Sequence, residues 1–180
     1  MKILIAEDID SINTGIISIL KENFSFKIDY ANSCDNALLK IKKSISENDP
    51  FDLLISDLSF KVDGNLKPEI KNGEELTIAA KRLQSDLKTI IYTIEDKPSL
   101  LKRLKDDIGV NSIVLKGLNS LSELKQSIST IESDENYFTT EVIHKIKNDS
   151  TTAINEYDIC LLDMLSKGLT QQEISEKFKQ

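Results

Sequence analysis

The sequence predicts an α/β fold in which helices cover both faces of a five-stranded parallel sheet. Over residues 1–132, short apolar segments alternate five times with segments whose apolar residues recur at helical spacing. Parallel strands need crossover connections of this kind, and right-handed crossovers leave few topologies. The 180 residues are enough for one such domain and a smaller appendage.

The predicted strands are short and rich in aliphatic residues. The segment Phe26–Tyr30 alternates polar and apolar residues, which is typical of a half-exposed strand. In contrast, Phe51–Ser56 is almost entirely apolar, and this predicts a central strand that is buried on both faces. Strands are predicted at Lys2–Ala6, Phe26–Tyr30, Phe51–Ser56, Thr89–Tyr92 and Val110–Leu115.

The predicted helices place their apolar residues three or four positions apart. Asp10 or Ser11 is suited to cap the first helix, and Pro98 fits the first turn of the fourth. A polar stretch with Gly64 and Pro68 predicts a loop over residues 61–72. Helices are predicted at Ser11–Glu22, Cys34–Glu47, Gly73–Gln84, Pro98–Asp107 and Leu118–Ile131.

The last 48 residues differ in pattern from the first 132. Residues 133–153 are polar and are interpreted as a linker with a short helix through Val142, Ile143 and Ile146. Residues 154–180 resume strong helical periodicity, which is interrupted at Gly168. Thr170 is placed to cap a second helix through Ile174 and Phe178. These features predict a small all-α segment after the linker.

Composition excludes several classes of protein. The net charge of −7 provides no overall basic footprint for nucleic acid. An uncharged apolar run of membrane-spanning length and a secretory signal are both missing, so we expect a cytoplasmic protein with no membrane partner. Cys34 and Cys160 lie far apart without metal-type spacing, and we expect both to be reduced. His144 is the single histidine, and we expect it to lie at the surface rather than in a metal site.

Polar and charged side chains follow four of the predicted strands. The carboxyl ends of parallel strands meet at one edge of a sheet, where ligands of open α/β folds bind. We therefore expect the side chains after the first, third, fourth and fifth strands to lie together, namely Glu7 and Asp8, Asp57, Thr93, and Lys116.

This combination predicts phosphoryl-transfer chemistry. Three neighbouring carboxylates raise one another's pKa unless a cation lies between them, and Mg²⁺ prefers hard oxygen ligands. A lysine and a hydroxyl opposite the cation would hold phosphoryl oxygens. Asp57 is the best nucleophile, since carboxylates form acyl phosphates in phosphotransfer enzymes. We expect Lys116 to pair with phosphoryl oxygens only once they arrive.

Residues 1–132 resemble the receiver domain of two-component response regulators, which has a flavodoxin-like (βα)5 fold. In that family an acidic pair follows the first strand, the phosphorylated aspartate the third, Thr or Ser the fourth and Lys the fifth. The resemblance implies that Asp57 is phosphorylated, with Mg²⁺ held by Glu7, Asp8, Asp57 and the backbone carbonyl of Ser59. It also implies that Thr93 and Lys116 contact the phosphoryl group and take part in switching.

The resemblance further implies a histidine kinase as phosphoryl donor and a homodimer as the activated form. The chain would then be no enzyme, apart from loss of its own phosphoryl group by autodephosphorylation. It departs from the family at Phe60-Lys61, where a Met-Pro pair is usual, and by about eight extra residues before Gly73. Ile94 follows Thr93 in place of a small residue, and Ile113 replaces the usual switching aromatic, for which Tyr92 is an alternative.

Residues 154–180 are similar to the start of a LuxR-type helix-turn-helix of NarL/FixJ-type regulators. The resemblance is carried by matching residues on both sides of the turn at Gly168: Asp158, Leu161, Leu162, Gly168, Thr170, Glu173 and Ile174. In the family a recognition helix follows and enters the major groove. The chain ends at Gln180 before such a helix, so we expect DNA-binding residues, and promoter binding, only in a longer protein.

Two alternative functions remain open at this point. One is a receiver whose C-terminal helices bind a protein rather than DNA. The other is a phosphatase of the haloacid-dehalogenase type, in which Asp8 is the nucleophile and Asp10 the acid/base. The second alternative leaves Asp57 without a role and lacks a later acidic pair for magnesium.

Overall fold

The computed structural model describes residues 1–61, 68–151, 156–170, 173, 174 and 177. These residues form two compact units, Met1–Ile146 and Lys147–Gln180. The first unit therefore extends past residue 132, where the receiver-like region was predicted to end. Within the described residues, no helix is long and apolar enough to cross a membrane.

The first unit is built on a parallel sheet with the strand order β2-β1-β3-β4-β5-β6. The prediction of an α/β fold on a parallel sheet is confirmed, and a sixth strand of two residues extends the five core strands. The strands are β1 (Lys2–Ala6), β2 (Lys27–Ala31), β3 (Leu53–Ser56), β4 (Lys88–Thr93), β5 (Ser112–Leu115) and β6 (Tyr137–Phe138).

The described residues of the two units contain seven α-helices. Their bounds are α1 (Asp10–Asn23), α2 (Cys34–Ser46), α3 (Gly73–Leu83), α4 (Pro98–Arg103), α5 (Ser120–Glu132), α6 (Thr140–Thr151) and α7 (Glu156–Ser166). The first five lie close to their predicted positions. The helix predicted over Pro98–Asp107 instead changes at Leu104 into a π-helical turn, Leu104–Ile108. Gly109 ends that turn in the left-handed region at φ 69°, which favours glycine.

The prediction of a side-chain cap by Asp10 or Ser11 is wrong. The N-cap of α1 is Ile9, whose side chain accepts no hydrogen bond, and Asp10 is the first helical residue. There its carboxylate lies at the positive end of the helix dipole, which favours a negative charge. Ser33 and Asn72 do cap α2 and α3, each accepting a hydrogen bond from the backbone N–H three residues later.

Alternate residues of the central strands point into different clusters on the two faces of the sheet. On one face, Ile3, Ile55 and Val114 pack with residues of α1 and α5. On the other, Leu4 and Leu54 pack with residues of α2 and α3 in what we call the α2–α3 cluster. All four residues of β3 are buried, as predicted for a central strand covered on both faces.

The segment 133–153, which the sequence analysis interpreted as a linker, contains β6 and all of α6. Strand β6 pairs with β5 through Ser112–Tyr137 and Ile113–Phe138. The expected helix through Val142 is α6, and the Val142 side chain is completely buried. It packs with Leu58, Leu101, Leu104 and Ile113, so this segment contributes to the core of the first unit.

The described part of the second unit begins with α7. Gly168 follows α7 at φ 79°, and its N–H and that of Leu169 bond to carbonyls of the last helical turn. Thr170 begins the next helical turn as predicted, because its backbone N–H and hydroxyl both donate to the Glu173 carboxylate, at 2.8 and 2.7 Å. Phe178, the other end of the predicted second helix, lies outside the described residues.

Candidate phosphoryl-acceptor site

The carboxyl edge of the sheet brings most of the predicted site residues together. Glu7 and Asp8 follow β1, Asp57 follows β3 and Lys116 follows β5. Strands β1, β3, β4 and β5 are neighbours in the sheet, so their ends meet along one edge. The ends of these strands thus place residues far apart in sequence side by side.

Lys116 lies between two buried carboxylates. Its Nζ donates to Asp57 Oδ2 at 2.7 Å and to Glu7 Oε2 at 2.8 Å. Only 6% of the Asp57 side chain, 2% of the Glu7 side chain and 11% of the Lys116 side chain are exposed. Charge-assisted hydrogen bonds in such a poorly solvated setting are stronger than those on an open surface.

The expectation that Lys116 stays unpaired until a phosphoryl group arrives is therefore wrong. A buried pair of carboxylates without a compensating cation would be costly, and the lysine supplies that charge in the unmodified protein. Phosphorylation of Asp57 would then exchange an existing ion pair for a new one. Lys116 is thus the counter-ion of both carboxylates in the unmodified protein.

The pKa values of Glu7 and Lys116 follow from their burial and from the ion pairs. Burial raises the pKa of Glu7, and the hydrogen bond and charge of Lys116 offset only part of that rise. Burial lowers the pKa of Lys116, but its hydrogen bonds to Asp57 and Glu7 outweigh burial and leave the pKa above its ordinary value. The lysine is therefore held in its charged form.

The three acidic residues form a group that fits a divalent cation. Glu7, Asp8 and Asp57 can each offer a carboxylate oxygen, and these oxygens lie within 4.8 Å of one another. Two of the residues are buried and Asp8 is half-buried, which leaves the group reachable from solvent. Hard carboxylate oxygens in this number suit Mg²⁺, which keeps several water ligands. Ser59, whose backbone carbonyl was predicted to join them, is exposed two residues after Asp57.

Other main-chain contacts fix the acidic side chains. Asp57 Oδ1 accepts a hydrogen bond from the Leu58 N–H at 2.7 Å, and Glu7 Oε1 accepts one from the Ile9 N–H at 3.1 Å. Asn13 of α1 donates its side-chain N–H to the Glu7 carbonyl at 2.8 Å. The acceptor carboxylate thus has one oxygen on a main-chain amide and the other on Lys116.

Thr93 lies beside this group but makes a different contact. Its side chain is completely buried, and Oγ1 accepts a hydrogen bond from the Glu95 N–H at 3.0 Å. The main chains of the two predicted phosphoryl ligands are joined, because the Lys116 N–H donates to the Thr93 carbonyl at 2.8 Å. Contact of Thr93 with a phosphoryl group remains a prediction.

The residues at which the chain departs from the receiver pattern differ in how far they are buried. Ile94 is 70% exposed and projects from the edge of the sheet, whereas Ile113 is completely buried in the core. Tyr92 is also buried and shares a hydrogen bond of 2.8 Å with the Ser120 hydroxyl. The Tyr92 ring centroid lies 5.4 Å from Lys116 Nζ, so this aromatic side chain is fixed beneath the lysine.

Sequence reasoning missed Gly73, which is required for the shape of the site. A Cβ atom at residue 73 would lie 1.7 Å from the Asp57 carbonyl oxygen, which is far inside a van der Waals contact. The Gly73 N–H donates to the Leu58 carbonyl at 3.0 Å and closes the loop after β3. The dipeptide Asn72-Gly73 at the start of α3 is the only signal in the sequence, and it indicates a helix cap rather than a close approach.

The histidine and the cysteines have the placements that follow. His144 is exposed on α6, as predicted. Both cysteines are free, and Cys34 is buried at the start of α2. Burial and the neighbouring carboxylates raise the pKa of Cys34 to about 12, so its thiol stays protonated.

Comparison with solved structures shows the fold clearly. No protein-family model matches the chain, and no curated protein matches its sequence significantly. The structure of the RcsB response regulator of Salmonella typhimurium, described for its conformational dynamism for DNA interaction, aligns with a TM-score of 0.71. The alignment covers 100% of this chain and 83% of that one at 20% identity. The fold is that of a response regulator.

Two further RcsB structures, both from Salmonella enterica serovar Typhimurium, match. The isolated REC domain with the phosphomimetic BeF3− aligns with a TM-score of 0.66 at 21% identity, over 81% of this chain and 98% of that one. RcsB bound to promoter P1flhDC, also with BeF3−, aligns with a TM-score of 0.69 at 20% identity, over 100% and 83%. The receiver fold predicted from the sequence is therefore confirmed.

Proposed function

We propose that this chain is a response regulator whose Asp57 accepts a phosphoryl group from a histidine kinase. The observation that carries the proposal is the double ion pair of Lys116 with Asp57 and Glu7, at 2.7 and 2.8 Å, on the carboxyl edge of a receiver fold. These ion pairs bring the Asp57 carboxylate, a second acid and a positive charge together, which supports the proposal. The same residues would hold Mg²⁺ and a phosphoryl group in turn.

Asp57 is a better acceptor than Asp8. Asp57 is hydrogen-bonded to Lys116, which can pair with the carboxylate before the reaction and with the phosphoryl oxygens after it. Asp8 Oδ2 instead accepts a hydrogen bond from the Lys61 N–H. A haloacid-dehalogenase-type reaction would need Asp8 to attack and Asp10 to act as acid/base. Asp10 is exposed at the start of α1, so the arrangement supports Asp57 instead.

In the proposed reaction a carboxylate oxygen of Asp57 attacks phosphorus. A P–O bond forms, the P–N bond to the kinase histidine breaks, and the electron pair returns to the imidazole nitrogen, which is left neutral. Lys116 holds the negative charge of the phosphoryl oxygens, and Thr93 would donate its hydroxyl hydrogen to one of them. Bound Mg²⁺ supplies charge neutralisation for the same oxygens, with Glu7, Asp8, Asp57 and the Ser59 carbonyl as its protein ligands.

The proposed output is dimerisation and transcription control. Phosphorylation adds negative charge at one edge of the sheet and shifts an equilibrium between receiver conformations. RcsB has been solved as dimers bound to DNA, and we propose the same kinds of partner for the protein that contains this helix-turn-helix segment. The chain then acts in the cytoplasm as a phosphoryl acceptor rather than an enzyme, and loses the phosphoryl group by autodephosphorylation.

Intact-mass spectrometry after incubation with acetyl phosphate and Mg²⁺ tests the proposal. We expect the mass of one phosphoryl group to be added to the wild-type chain and none to Asp57→Asn. Asp10→Asn is the matched control, because it removes an exposed carboxylate near the same edge and should label normally. Labelling of Asp57→Asn at the wild-type rate would refute the proposal.

A further inference from the structure

We propose that the backbone N–H of Lys61 is a positioning group that holds Asp8 ready for a divalent cation. The inference deepens the proposed function and rests on its cation site. The juxtaposition that carries it is a hydrogen bond of 2.8 Å from the Lys61 N–H to Asp8 Oδ2, between residues 53 positions apart in sequence. It gives the start of the long loop after β3 a role in the acidic group.

Among the described residues, the Lys61 N–H is the group that donates a hydrogen bond to the Asp8 carboxylate. Glu7 and Asp57 are buried and are each fixed by Lys116 and a main-chain amide. Asp8 is only half-buried and is not paired with a lysine among the described residues. Without the Lys61 N–H, the Asp8 carboxylate would lose the hydrogen bond that fixes its orientation at the mouth of the group.

The segments on both sides of residues 62–67 are anchored by contacts of their own. Phe60 and Ile70 pack against the α2–α3 cluster. Asp35, in the first turn of α2, accepts hydrogen bonds from the N–H groups of Glu69 and Ile70 at 3.2 and 2.9 Å. The Phe60 contact holds the main chain next to Lys61 in place, so the fold directs the Lys61 N–H at Asp8.

The hydrogen bond orients the carboxylate without using it up. A carboxylate has two oxygens and about four acceptor sites, and Lys61 occupies one site on Oδ2. The remaining sites are free to bind a cation. Hydrogen bonds that orient a metal-binding side chain contribute about 10- to 100-fold to metal affinity in proteins. We therefore expect the Lys61 N–H to strengthen cation binding by about 10-fold.

The chain offers a test that compares loss of this N–H with loss of the lysine side chain alone. Lys61→Pro lacks the donor, because proline has no backbone N–H, while Lys61→Ala removes the lysine charge and keeps the donor. Calorimetric titration of each full chain with Mg²⁺, in the absence of any phosphoryl donor, measures the affinity. We expect binding to weaken about 10-fold in Lys61→Pro and to change less than about 2-fold in Lys61→Ala.

The outcomes separate this inference from the proposed function. If the wild-type chain binds no Mg²⁺, then the cation site itself is wrong. If the wild type binds Mg²⁺ and Lys61→Pro binds it equally or more tightly, the positioning role is wrong while the cation site stands. An equal loss in Lys61→Pro and Lys61→Ala would assign the effect to the side-chain charge and would also overturn the inference.

A second measurement decides the matter if Lys61→Pro fails to fold. The exchange rate of the Lys61 amide hydrogen can be followed by NMR in the wild-type chain with and without Mg²⁺. We expect slow exchange in both states, and faster exchange in Asp8→Ala, which removes the acceptor. Loss of protection when Mg²⁺ is added would mean that the cation and the N–H compete for Asp8, which contradicts the proposal.

Discussion

Gly73 shows at the scale of one residue how closely the site is built. A Cβ at residue 73 would overlap the Asp57 carbonyl oxygen, from which it would lie 1.7 Å, and both partners are main chain that cannot rotate away. We expect Gly73→Ala to lower the free energy of unfolding by at least about 2 kcal/mol, because the start of α3 and the end of β3 must move apart to make room for the added methyl group. Urea denaturation measures the change.

Gly15 provides the matched control for this substitution. It lies within α1, and nothing approaches within 4 Å of the position where a Cβ would be added. Gly15→Ala should therefore raise the free energy of unfolding by about 0.5–1 kcal/mol, the usual gain in a helix. A Gly73→Ala protein as stable as the wild type would contradict the close approach.

The buried Glu7 makes stability depend on pH. Its pKa in the folded protein is raised above the ordinary value of 4.5 by burial, so between these two values the folded state binds more protons than the unfolded state. Stability from this group is fully present below 4.5 and is lost as pH rises through the folded pKa. Glu7→Gln has no such dependence, because its side chain does not titrate.

We therefore expect the stability of the wild type relative to Glu7→Gln to fall as the pH is raised from 4.5 towards neutrality. The measurement is thermal unfolding of both proteins across this range, with a chelator to keep divalent cations away. A difference that stays constant with pH would show that Glu7 ionises normally in the folded protein.

The role of a single residue could be predicted from the sequence only where a reactive residue type stands directly after a predicted strand. Asp57, Thr93 and Lys116 could be selected because each follows an apolar strand, and parallel strands bring such residues to one edge. The roles of Gly73 and the Lys61 N–H could not be selected. Both depend on distances between main-chain atoms of separate elements, which residue types do not encode.

Among the elements, α6 contributes to the receiver core through one buried side chain. Val142 is completely buried among Leu58, Leu104 and Ile113, so truncation leaves a cavity. We expect Val142→Ala to lower the free energy of unfolding by about 2 kcal/mol. In contrast, Lys145 of the same helix makes a solvent-exposed ion pair with Asp96 at 2.7 Å, and Lys145→Ala should change stability little.

Chemical denaturation of the two α6 variants separates these contributions. The same experiment tests whether residues 133–146 belong to the receiver core or form a linker. If Val142→Ala were as stable as the wild type, α6 would not belong to the core of the first unit. A large loss of stability in Lys145→Ala instead would mean that the Lys145–Asp96 ion pair holds α6 to the rest of the first unit.

The sequence predicted the periodic helices well and missed the shortest strand and the π-helical turn. Helices α1, α2, α3 and α5 repeat apolar residues over three turns or more, which gives a clear signal. Strand β6 has two residues and therefore no period to detect. The π-helical turn at Leu104–Ile108 keeps apolar residues at helical spacing, so its different hydrogen bonding is invisible in the pattern.

For the whole molecule, a parallel sheet with helices on both faces could be predicted, because short apolar strands alternate with amphipathic helices. The extent of the receiver unit could not. Residues 133–146 are polar apart from a few positions, and they join the unit through β6 and through Val142. The acceptor site was predictable as a set of residues, but the pairing of Lys116 with two acids in the unmodified protein follows from burial that only the fold reveals.

The central claim is that Asp57 forms the acyl phosphate. Chemical trapping tests it most directly: the chain is treated with acetyl phosphate and Mg²⁺, reduced with sodium borodeuteride, digested and mapped by mass spectrometry. Reduction converts a phosphorylated aspartate into deuterated homoserine and leaves other aspartates unchanged. We predict deuterated homoserine at residue 57 alone. Its appearance at residue 8, or an unmodified residue 57 in a chain that has gained a phosphoryl group, would contradict the account.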